Sequence, residues 1–309
     1  MASDRVRRIA DAVLYEGYLL WPYRKSALKN QQRFTFGGVY PPTWEDRSCM
    51  QAQVLLEGDA DVQVEIRVRF LHVVARQVLK GEVPVEELEA DGERWVSWDE
   101  AVEREVAPGP IRIPAGEELQ AIPGGAVRRS WRALQGEVSV AREPVRAGLW
   151  RVTLRVANTT PWEGAHREEA LRQTFCSTHA VLSAKNGAWV SPTDPPASLR
   201  AEAQACANDG VWPVLVGEEG DRSAMLASPI ILPDHPQIAP ESPGDLFDSG
   251  EIDQMLVLNI LAMTEQERRE MRDADPRARE ILQRTEALSE AQIMRLNGAV
   301  RDFGLVRAR

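Results

Sequence analysis

Residues 61–74 read DVQVEIRVRFLHVV. The even positions are Val62, Val64, Ile66, Val68, Phe70, His72 and Val74, and the odd positions begin Asp61, Gln63, Glu65, Arg67 and Arg69. Side chains that alternate with a period of two lie on opposite faces of an extended chain, so this stretch is a strand with one dry and one wet face. A sheet that keeps one face wet is characteristically antiparallel. Trp150, Val152, Leu154 and Val156 alternate with Arg151, Thr153 and Arg155 in the same manner.

Working outward, shorter strand patterns fall at 48–56, 94–98, 126–132, 136–142, 175–184, 187–191, 211–216 and 223–232, with APGP (107–110) and IPGG (122–125) as punctuation. LRAEAQACAN (199–208) reads as a short helix among them. Before the strands, Val6, Ile9, Ala10, Val13, Leu14 and Gly17 fall on one side of a helix over 5–20, with Arg7, Arg8 and Asp11 opposite and Pro22 as its stop. After them, ILPDHPQIAPESPGD is a proline-rich connector. Capping boxes then follow at Asp248/Glu251, Thr264/Glu267 and Ser289/Gln292, and Asp275-Pro276 supplies an N-cap with proline at N1. They predict helices near 249–262, 265–273, 276–287 and 290–302.

The expected fold class is α+β: a mainly antiparallel β body, sandwich or barrel-like, with an N-terminal amphipathic helix and a C-terminal helical module. The chain divides into 1–45 (helix and aromatic–basic segment), 46–232 (β-rich body), 233–248 (connector) and 249–309 (helical tail). At 309 residues and 43% hydrophobic content it can bury a sizeable core. A formal charge of -10 argues against nucleic acid as partner, because neutralising phosphates needs a basic surface. Cys49, Cys176 and Cys206 are too few and too scattered for a disulfide framework. That usage, with no leader pattern and no apolar run of spanning length, predicts a cytoplasmic protein without a membrane span.

Against that acidity, residues 14–42 (LYEGYLLWPYRKSALKNQQRFTFGGVYPP) hold all four tyrosines and two of the four lysines, with no acid between Glu16 and Glu45. Tyr18, Trp21, Tyr23, Arg24, Lys25 and Arg33 combine the residue types that dominate protein interfaces. The competing reading has Tyr15, Tyr18 and Trp21 packing the first helix on the sheet while the basic residues face water. The two readings stand level.

Chemistry-bearing motifs are sparse. CSTH (176–179) sets a thiol and an imidazole three apart, but on a strand that offset points them to opposite faces, and no second pair completes a metal site. His72 reads as a core histidine with one nitrogen satisfied. No GxSxG, GxxxxGK[ST] or GxGxxG occurs. DLFDSGEID (245–253) superficially resembles a calcium loop but lacks the ligand spacing, and capping by Asp248 explains its acids. The sequence therefore implies no catalytic residue, no cofactor and no metal. His179 and Asp245 are the weak functional candidates.

LYEGYLLWPYRKSALKNQQRFTFGGVYP, ANTTPWEG, STHAVL and SPIILPDHPQIAPESPGDLFDSGEIDQML together resemble an uncharacterised bacterial family encoded in gene clusters of the high-affinity actinobacterial type of nickel–iron hydrogenase. The likeness runs from about residue 5 to 300. In that family the position of Cys176 is often aliphatic, while Ser177, Thr178 and His179 match. The resemblance implies a non-catalytic accessory or assembly protein whose partner is a hydrogenase subunit or maturation factor. Two alternatives stand beside it: a hydrolase or metal-dependent enzyme using His179 with acids of the 234–248 loop (Asp234, Glu241, Asp245), and a structural subunit of a larger complex.

Overall fold

The computed structural model describes residues 4–15, 36–237, 260–274 and 276–289. The alternating stretch belongs to one very long strand, β1 (Cys49–Lys80), which is the spine of the sheet. Its residues 49–57 pair with β10 (Leu149–Asn158), and 56–71 pair on the opposite edge with β11 (Cys176–Trp189). Further along, 68–76 pair with β5 (Trp98–Val106) and 75–79 with β8 (Gly125–Trp131). The expected strands at 48–56 and 61–74 are thus one element; Gly58 marks an irregularity in pairing with β11, not an end.

From the spine the sheet extends through β10 to β9 (Leu134–Arg146) and β6 (Gly109–Ile113) on one flank. On the other it runs through β11 to β13 (Ala224–Ser228) and β12 (Trp212–Leu215). β7 (Gly116–Ile122) lies outside β8, and β2 (Val83–Val85) is a short addition to β1. β3 (Glu87–Ala90) and β4 (Glu93–Val96) form a separate hairpin. All these pairings are antiparallel.

Only Pro114 and Ala115 separate β6 from β7, although the two strands belong to opposite flanks. A link that short spans about 10 Å at most, so the sheet bends back until those flanks meet, without closing. Its inner face holds the main core. Alternate residues of β1 (Met50, Val54, Leu56, Ile66, Val68, Phe70) meet Leu154 of β10, Leu134 and Val138 of β9, Ile111 of β6, and Met225 and Leu215 of the other flank. Phe70 and Phe175 stack at 4.6 Å between ring centroids. The fold is a mainly antiparallel, sandwich-like body with helices at both ends, as the alternation predicts.

The helices cover the outer face. α1 (Asp4–Tyr15) lays Val6, Ile9, Ala10 and Val13 on Val181, Val214, Val216 and Leu226. α4 (Glu265–Ala274) and α5 (Pro276–Glu286) bring Met271, Ala278, Ile281 and Leu282 into a cluster with Leu71, Val73 and Trp98. These tail helices therefore share a core with the sheet. The Thr264/Glu267 capping box forms: Glu267 accepts from the Thr264 N–H at 2.9 Å, and the Thr264 hydroxyl accepts from the Glu267 N–H at 3.3 Å. The helices expected near 290–302 and over most of 249–262 lie outside the described residues. Among the described residues there are also two short helices, α2 (Arg167–Leu171) and α3 (Arg200–Gln204); α3 follows a 3-10 turn and ends before the expected 208.

Candidate functional site

The buried polar side chains concentrate where α1 crosses β1 and β11. Arg69 on β1 is only 5% exposed, and its direct partner across the strand pair is His179 on β11. Paired residues project to the same side, so both side chains sit under α1. From the helix, Asp11 accepts a 2.6 Å hydrogen bond from the Arg69 guanidinium. Glu103 of β5 accepts another at 3.2 Å, and Glu105 lies 3.8 Å away. Tyr15, at the end of α1, donates its hydroxyl to Glu103 at 2.8 Å. Asp11, read from periodicity as part of the outward polar face, instead ties the helix to the sheet.

His179 is 0% exposed. Its Nδ1 lies 2.9 Å from the carbonyl oxygen of Ser177, which can only accept, so Nδ1 carries the proton and Nε2 is a bare lone pair. No donor reaches Nε2, and the buried Ser177 hydroxyl likewise has no partner. Burial pushes the His179 pKa down to about 4; the Ser177 carbonyl and Asp11 oppose that shift and Arg69 adds to it. The imidazole is therefore neutral at pH 7. Having no exposed surface, it cannot meet a substrate unless α1 moves.

Ser177 adopts φ +50°, in the left-handed region. Here the pairing slips: Arg69 faces His179, but Leu71 faces Cys176, so three steps on β11 match two on β1. This bulge returns Cys176 to the same face as His179, correcting the expectation that an offset of three separates them. The thiol still turns away, towards the carbonyls of Thr174 at 3.8 Å and Leu171 at 4.0 Å. Alongside the bulge, Phe36 and Gly37 accept from the Ser177 and Thr178 N–H groups at 3.1 and 2.9 Å. Gly37 is required there: its φ is +56°, and a Cβ would stand 2.7 Å from Pro229.

His72 is also fully buried, and neither ring nitrogen completes a hydrogen bond, in contrast to the one satisfied nitrogen expected. Burial first, and Arg104 second, lower its pKa to about 4; the Arg132 carbonyl approaches closely enough to oppose the shift without closing a bond.

The other polar knot is at Asp234. One carboxylate oxygen accepts from the Ser191 and Thr193 hydroxyls, and the other accepts from the Leu215 N–H at 2.8 Å. His235, at φ +51°, donates its backbone N–H to the Leu215 carbonyl at 2.7 Å. These contacts clasp the start of the connector to the edge of β12. Leu215, Met225 and Leu182 are successive register partners. The knot accordingly lies about 10 Å across and about 10 Å along the sheet from His179. Asp234 and His179 are not brought together as an acid/base pair, and among the described residues no group of three or more His, Cys, Asp or Glu could hold a metal ion.

Tyr18, Trp21, Tyr23, Arg24, Lys25, Arg33, Glu241 and Asp245 lie outside the described residues. At the ends of the aromatic–basic stretch, Tyr15 binds Glu103, and Tyr40 is buried, its ring 6.4 Å from that of Trp44. Among the described residues no helix is long and apolar enough to cross a membrane. No protein-family model matches the chain, and no curated protein matches it.

Proposed function

We propose that this protein is a non-catalytic accessory factor of the cytoplasm that acts by binding another protein, and that the partner is a nickel–iron hydrogenase subunit or maturation factor. The resemblance of its long sequence blocks to proteins of hydrogenase gene clusters supports the choice of partner. Supporting the mode of action is a contrast in where the spare chemistry lies. The histidines at 72 and 179 are neutral and buried, whereas apolar side chains are left in water.

The observation that carries the reading is the pair Trp212 and Ile231, 47% and 76% exposed. Trp212 pairs with Ser228, and Ile231 follows three residues later, so both sit at one end of the β12–β13 pair. Pro213, Pro229 and Pro233 flank them and limit the freedom lost on binding. A half-exposed tryptophan on a stiff support is the residue type that most often anchors a protein interface.

Gentle affinity purification from a host that retains a hydrogenase gene cluster tests the reading. Recovery of a hydrogenase subunit or maturation factor in near-stoichiometric amount is expected; recovery of none under low-salt conditions overturns it.

A further inference from the structure

Strand β7 is an edge strand of the sheet that is wet on both faces. Glu117 to Ala121 are five consecutive exposed residues, so both faces of the strand are in water, and Leu119 at the centre is 69% exposed. One edge pairs with β8; the other has no backbone partner among the described residues. Exposed edges usually carry a device that blocks pairing, such as proline, lysine or a cover. β6 has Pro110, the free part of β9 has Pro144, and β12 has Pro213 and the Asp234–His235 clasp. The sequence of β7, GEELQAI, has no proline and no lysine, and its only charges, Glu117 and Glu118, leave Leu119 to Ala121 uncharged.

The register shows what can pair there. Pro123 and Gly124, the latter at φ +74°, link β7 to β8, with Ile122 opposite Gly125. A two-residue turn puts the closing pair in the hydrogen-bonded position. Alternation then directs the N–H and C=O of Glu117, Leu119 and Ala121 away from β8.

We infer that β7 is a self-association edge, pairing antiparallel with β7 of a second copy about a two-fold axis at Leu119. In this register Leu119 meets its own counterpart, Glu117 meets Ala121, and Glu118 meets Gln120. All three outward residues exchange both backbone hydrogen bonds, and no acid faces an acid. Sliding one strand by two residues sets Glu118 against Glu118 in one direction and Glu117 against Pro123, which has no N–H, in the other. Acid repulsion disfavours one neighbouring register and the missing proline N–H the other, and the sheet continues from one copy into the next.

A seven-residue edge buries less than the ~1,600 Å² of a standard interface, so the dimer should be weak and dissociate on dilution. Sedimentation equilibrium on the full chain between about 1 and 300 µM should show a monomer–dimer transition. Leu119→Lys, which sets two ammonium groups together on the axis, should leave a monomer throughout with unchanged circular dichroism and melting. Under mild oxidation Leu119→Cys should form an intermolecular disulfide absent from the parent chain. Ala121→Cys should do so only when mixed with Glu117→Cys. A chain that stays monomeric at 300 µM, a dimer indifferent to Leu119→Lys, or cross-linking of Ala121→Cys alone overturns the assignment. None of these readouts involves a hydrogenase component.

Discussion

Acid should destabilise this protein through His179 before its carboxylates titrate. The folded pKa is about 4, against 6.5 for the free side chain. Between those values the unfolded chain binds a proton that the folded chain refuses. Stability from this group is therefore complete above pH 6.5, falls as the pH drops towards 4, and then levels off. A difference of about 2.5 pH units corresponds to roughly 3 kcal/mol in total, of which about 2 kcal/mol is lost between pH 7.5 and 5. Of the charges facing the ring, Arg69 on β1 deepens the effect and Asp11 on α1 moderates it. Urea unfolding of the parent chain and of His179→Gln at pH 7.5, 6 and 5 measures the loss directly. The variant starts less stable, but its decline over that range should be shallower by about 2 kcal/mol. The same His179 resonance, followed by NMR, should titrate well below pH 5.5. Equal declines in the two proteins, or a titration midpoint near 6.5, would refute a neutral imidazole sealed under α1.

His72 should behave alike, and His72→Gln should remove a second decrement of about 2 kcal/mol between pH 7.5 and 5, read by the same unfolding series. Phe175→Ala removes one ring of the buried stack and should cost about 3–5 kcal/mol in chemical denaturation. A double-mutant cycle with Asp11→Ala and Arg69→Met should give a coupling of about 1 kcal/mol, the partial exposure of Asp11 keeping it small, and amide exchange in α1 should rise in either single variant. Thr264→Ala removes the N-cap of α4 and should cost about 1 kcal/mol, seen as faster exchange or proteolysis confined to the C-terminal helices.

The strand over 61–74 was legible because residues 61–67 alternate between the inner core and water; the expected wet face ends there, since every residue from Val68 to Val74 is buried, Arg69 beneath α1 and Leu71 and Val73 beneath the tail helices. Its true length was not, because EGDA (57–60) carries no apolar alternation and Gly58 reads as a break, although backbone pairing with β10 ends only at Glu57 and pairing with β11 resumes at Gln63. β7 escaped notice for a related reason. Both of its faces are in water, so GEELQAI has no period to detect, and only its pairing with β8 holds it extended. At the polar cluster the sequence singled out His179 but could not supply its surroundings. Arg69 and Asp11 are 58 positions apart, and each looked like an ordinary wet-face residue. The bulge at Ser177 is set by tertiary contact with Phe36 and Gly37, which no local pattern within STHAVL announces. The helix caps could be read most directly, since Thr264 and Glu267 interact across three residues and need nothing distant.

The most direct test of a role exercised at the protein's surface is to compare what the parent chain and a Trp212→Ser/Ile231→Ser variant retain in quantitative affinity purification from the same host. The account predicts that a specific partner held by the parent is lost at least tenfold by the variant, with melting temperatures within a few degrees of each other. Identical retention by the two proteins would contradict it.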